Sequence, residues 1–127
     1  MRLWKNHGYT RIAMGWTVCC MVALVLCFPV SAGAHSPKEV KLAYETSSQN
    51  LKVTITHASP FPSSHYIKSV EIKINGKTAL TKEYNNQPAE TPFTYAYDIA
   101  AAPGDILEVK ASCSLYGSKT EKLTITK

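Results

Sequence analysis

Hydrophobic and polar positions alternate with a period of two along most of the chain beyond residue 39. Val40, Leu42 and Tyr44 alternate with polar residues, as do Leu51, Val53 and Ile55, and then Val70, Ile72 and Ile74. Phe93, Tyr95, Tyr97 and Ile99 form another run, followed by Leu107, Val109 and Ala111, and by Leu123 and Ile125. Successive side chains leave an extended chain on opposite sides, so each run predicts a strand with one face on a core and the other in water. Asn75-Gly76 lies between two such runs and predicts a type I′ hairpin turn, in which both central residues take positive φ. Pro103-Gly104-Asp105 and Tyr116-Gly117-Ser118 mark further turns, and residues 58–64 and 85–92 are loops rich in Pro, Ser and Asn. No helical period of useful length competes. About seven short strands predict an all-β fold, an antiparallel β-sandwich of immunoglobulin type without the disulfide and core Trp of antibody domains.

The first third of the chain breaks this pattern. Arg2, Lys5 and Arg11 precede an uncharged stretch from Ile12 to Val30, which ends in Ala32-Gly33-Ala34. A basic head, an apolar body and small residues before a cut predict a signal peptide over 1–34, with the mature domain over 35–127. An uncleaved membrane anchor is the alternative for the same stretch. Cleavage implies export to the periplasm or the cell exterior, and no membrane association once the leader is gone. Leu26 before Cys27, where lipidation needs a small residue, argues against a lipoprotein.

Removing the leader changes the charge balance. Residues 35–127 carry 11 lysines, no arginine and 9 acidic residues, a net charge of +2. With no Arg for bidentate contacts and the lysines scattered, nucleic acid is excluded as a partner. The serines lack a Gly-x-Ser-x-Gly elbow, and Glu71 and Glu108 have outward parity, so neither a hydrolase triad nor a carboxylate pair is indicated. Three of the four cysteines lie in the leader, leaving Cys113 alone in the mature domain. A lone thiol in an oxidising compartment is buried and inert, paired with a second chain in a homodimer, reactive, or bound to a metal.

The candidate chemistry rests on few residues. His35, His57 and His65 are the only histidines of the mature domain. His57 continues the inward parity of Leu51, Val53 and Ile55, His65 stands just ahead of the next strand, and Cys113 shares the inward parity of Leu107, Val109 and Ala111. Imidazoles and a thiolate at one end of a sandwich suit iron, copper or zinc. The spacing equally fits a small core cysteine and loop-edge histidines bonded to backbone.

His57-Ala-Ser-Pro-Phe-Pro-Ser-Ser-His65-Tyr66-Ile67, Asn75-Gly76-Lys77 and Cys113-Ser114-Leu115-Tyr116-Gly117 together resemble the iron-binding domain of desulfoferrodoxins and superoxide reductases, over nearly the whole mature chain. The resemblance implies an immunoglobulin-like sandwich holding a mononuclear non-haem iron by four histidines and one cysteine thiolate. It also implies reduction of superoxide to hydrogen peroxide at the expense of an external electron donor protein. On that pattern His57 and His65 match the two central histidines, Cys113 matches the thiolate, and His35 stands about where the first histidine belongs. Tyr116 occupies the place of the fourth histidine in Cys-x-x-His-Gly, and the family's Glu-Lys pair has no counterpart.

Two other expectations follow. Cleavage after Ala34 would give His35 a free α-amine, which with its imidazole Nδ1 forms a chelate suited to copper, an N-terminal histidine brace. The His-Tyr-Ile segment, the Asn-Gly-Lys hairpin and the Pro-Gly-Asp turn also resemble the small subunit of the thiosulfate-oxidation carrier complex, which implies a non-enzymatic binding module.

Overall fold

The computed structural model describes residues 36–127. Seven antiparallel strands form, and no helix is present among the described residues: β1 (Glu39–Glu45), β2 (Asn50–Thr56), β3 (Ile67–Ile74), β4 (Lys77–Glu83), β5 (Phe93–Asp98), β6 (Ile106–Cys113) and β7 (Ser118–Thr124). They make a three-stranded sheet in the order β1-β2-β5 and a four-stranded sheet in the order β4-β3-β6-β7. The leader expected over 1–34 lies outside the described residues.

The alternating residues are the core. Val40 pairs with Ile55, Leu51 with Tyr97 and Ile55 with Phe93 in the first sheet; Ile72 pairs with Val109 and Val70 with Ala111 in the second. These side chains form one buried cluster drawn from both sheets. Register is fixed by this pattern, since a slip of one residue would turn every core side chain of a strand toward water. The edge strands β4 and β7 are the exceptions to alternation: apart from half-buried Leu80, Lys119 and Leu123 they present largely exposed edges rich in Lys and Thr. Charge on an edge strand discourages pairing with another sheet.

The Asn75-Gly76 turn takes the predicted conformation. Asn75 has φ 49° and Gly76 φ 82°, as the hairpin between β3 and β4 requires. The Asn75 side chain also ties this hairpin to the next strand, donating to Asp105 at 2.8 Å and accepting from the Ile106 amide at 3.0 Å. Asp105 also accepts from the Ala102 amide; these hydrogen bonds hold its carboxyl below the usual carboxylate range.

At the opposite end of β3 the ladder is irregular. Ile67 pairs with Cys113 but Ser69 with Ser112, leaving Lys68 as an extra residue on β3. A bulge bends a strand and re-aims its side chains. Here it falls where β3 meets the last residue of β6, and this end of the sandwich carries the site.

Candidate metal centre

His57 follows directly on β2, His65 stands two residues ahead of β3, and Cys113 closes β6. The structure brings all three together, with their ligand atoms within 4.8 Å of one another. The His57 and His65 rings meet edge to face, their centroids 4.7 Å apart at 82°. Two ligands on opposite sides of one zinc-sized ion lie roughly 4 to 4.4 Å apart and tetrahedral neighbours closer. The observed spacing is thus within a small side-chain adjustment of a shared coordination sphere.

Burial decides what such a group can do. His57 is 2%, Cys113 3% and His65 8% exposed. His57 is inward because it extends the parity of Leu51, Val53 and Ile55, each fully buried. Cys113 extends that of Leu107, Val109 and Ala111 in the same way. His65 is set by a tight turn: its amide and that of Ser64 both donate to the Phe61 carbonyl, at 2.8 and 3.0 Å.

The neighbouring loops lock these three in place. Ser114 clamps the Cys113 turn to the His65 loop; its amide donates to the Tyr66 carbonyl at 2.8 Å and its hydroxyl accepts from the Tyr66 amide at 3.1 Å. The Cys113 amide donates to the Gly117 carbonyl at 2.9 Å, closing the turn, and the Leu115 amide donates to the Cys113 sulfur at 3.4 Å. An N–H aimed at a thiolate sulfur withdraws charge from it and tunes any metal it binds. The His57 amide donates to Thr91 Oγ1 at 3.0 Å. Gln87, buried beside it, donates from Nε2 to the His57 carbonyl at 2.8 Å and accepts the Ile67 amide on Oε1 at 3.1 Å. The same Oε1 lies 2.7 Å from His57 Nδ1.

The segments around the site carry little charge. Residues 57–66 and 113–117 contain no Asp, Glu, Lys or Arg, and Glu90 is the one such residue in 84–92. Phe61, Leu115 and Tyr116 are exposed and belong to the same two loops as the three candidate ligands. Tyr116 is 63% exposed, a surface residue of the turn beside the three buried groups. His35 lies outside the described residues.

Sequence reasoning identified the three converging side chains and missed the residues that hold them. Gln87 sits in a run of Asn, Pro, Ala and Glu that reads as a solvated loop, and no signal in the sequence distinguishes it. Ser114 acts through its hydroxyl and its amide, and Leu115 through its amide, on backbone and sulfur partners that only the fold brings near, so these contacts have no sequence signature either. No protein-family model matches the chain, and no curated protein matches it.

Proposed function

We propose that this chain binds one transition-metal ion through His57, His65 and Cys113, and that with iron it reduces superoxide to hydrogen peroxide using an electron donor protein. The observation that carries the reading is the convergence of two imidazoles and one thiol, all buried, from three separate segments. Two nitrogens and a soft sulfur form a donor set for iron, zinc or copper, and are a poor one for the hard cations that select oxygen. Three protein ligands also leave coordination positions open for a small molecule, as catalytic metal sites do.

Bound iron would supply the one-electron chemistry, in which superoxide takes up one electron and two protons to give hydrogen peroxide. The residues of the chain perform the rest. Cys113 would supply negative charge to a bound ion, moderated by the Leu115 amide. His57 and His65 neutralise none of that charge and fix the ligand geometry. Phe61, Leu115 and Tyr116 belong to the loops around the site and place no competing carboxylate there. The electron comes from outside, since no second cysteine among residues 35–127 can build another redox centre. With the expected leader, this activity would lie outside the cytoplasm.

The test is stoichiometric. Iron-loaded protein with a pre-reduced donor should form peroxide in equal amount to the superoxide consumed, with no dioxygen released; dioxygen release or no reaction contradicts the proposal. One observation favours a second reading, a docking module: the exposed apolar residues Phe61, Leu115 and Tyr116 share two adjoining loops. In that case Cys113 would be alkylated at the same rate with and without metal.

A further inference from the structure

We infer that Gln87 is a positioning residue that fixes the tautomer of His57 and so decides which ring nitrogen is available to a metal. The inference rests, for its purpose, on the metal-binding reading above, but its geometry stands independently of it. A side-chain amide has one accepting and one donating end, and its orientation follows from the groups around it. Here two backbone groups settle that orientation. The Ile67 N–H points at one end at 3.1 Å and can only donate, so that end is the oxygen. The His57 carbonyl faces the other end at 2.8 Å and can only accept, so that end is the nitrogen. Rotating the amide by half a turn would set donor against donor and acceptor against acceptor in a buried place, where each unsatisfied group is costly.

With the oxygen so fixed, the 2.7 Å contact to His57 Nδ1 has only one polarity. In the neutral imidazole Nδ1 then carries the hydrogen and donates it, and Nε2 carries the lone pair. A ring nitrogen can ligate a metal only through its lone pair, and the hydrogen bond at the other nitrogen selects which one that is. Gln87 therefore presets His57 as an Nε2 ligand. It also anchors the ring to three segments at once, since its own amide donates to the Pro62 carbonyl at 3.3 Å in the loop that leads to His65. A glutamine does this without adding charge, so the thiolate of Cys113 would remain the sole anion contributed by these residues.

Long-range proton–nitrogen correlation NMR of the full chain, stripped of metal by chelator, reads the tautomer directly. His57 is expected with its hydrogen on Nδ1 and not on Nε2. Gln87→Glu keeps an acceptor in place and should keep that tautomer, whereas Gln87→Leu removes it and should give a mixture or the reverse form. Gln87→Leu should also weaken Co(II) binding by about 10- to 100-fold, the range found when such outer partners of a ligating histidine are removed. Hydrogen on Nε2 in the unaltered protein overturns the inference, and that measurement holds even where Gln87→Leu does not fold. A folded Gln87→Leu with the original tautomer and unchanged Co(II) affinity overturns it as well. Failure of the unaltered protein to bind Co(II) counts against the metal reading instead, with the tautomer still decided by the ring shifts.

Discussion

Ser36 lies so close to Gly117 that a Cβ on the glycine would stand 2.8 Å from the serine Cβ. Gly117 also has φ 75°, a conformation that costs other residues about 1 to 2 kcal/mol. Both facts require glycine in the turn that closes behind Cys113. Gly117→Ala is therefore expected to lower stability by at least about 1 kcal/mol, read as a fall in the urea midpoint with unchanged slope. An unchanged midpoint would show that the turn relaxes without loss.

The core makes a stronger demand. Ile72 is fully buried on β3 and pairs with Val109 on one side and Leu80 on the other. Ile72→Ala should cost about 2 to 5 kcal/mol, the lost transfer energy plus that of the cavity left behind. Equilibrium denaturation measures this, and a cost below about 1 kcal/mol would contradict the packing described.

Both the strands and the core were legible in the sequence, because period-two alternation reports burial directly. Val53, Ile72 and Val109 needed no structure to be placed inside. His57 and Cys113 were legible for the same reason, as inward positions at the ends of their strands. His65 was legible only as a histidine near a strand start, since its burial depends on the turn at Phe61. Gln87 was not legible at all. Its role depends on a loop folding over the ends of β2 and β3, and on hydrogen bonds to backbone groups that any sequence would offer.

A tyrosine cluster gives a pH dependence with a definite sign. Tyr84 and Tyr95 stack with centroids 4.3 Å apart, and the Tyr84 and Tyr97 hydroxyls share a 2.7 Å hydrogen bond. Burial, with Tyr84 nearby, pushes Tyr95 up to about 12 and Tyr97 higher still, against 10.0 for an unperturbed phenol. The folded state therefore holds these protons more tightly than the unfolded chain does. Their contribution to stability is complete below about pH 10 and is lost as pH rises above it. Denaturation midpoints should fall above pH 10, and part of the phenolate absorbance should develop only near pH 12 or on unfolding. Complete ionisation near pH 10 in the folded protein would contradict the cluster.

Ser114 offers a local test of the loops that hold the site. Ser114→Ala deprives the Tyr66 amide of its acceptor, at a cost of about 1 kcal/mol, and loosens the clamp between the His65 loop and the Cys113 turn. Metal affinity should drop with stability largely kept. Equal affinity in the variant would mean that the backbone hydrogen bond from the Ser114 amide to the Tyr66 carbonyl, which the substitution leaves in place, holds the loops by itself.

The central claim is that His57, His65 and Cys113 hold a metal, and metal content with visible absorption tests it most directly. Protein processed by its own cell, compared with Cys113→Ala, should contain stoichiometric iron and show, after oxidation, a thiolate-to-iron charge-transfer band that the alanine variant lacks. Metal-free protein whose thiol is alkylated at the same rate with and without added iron would contradict it.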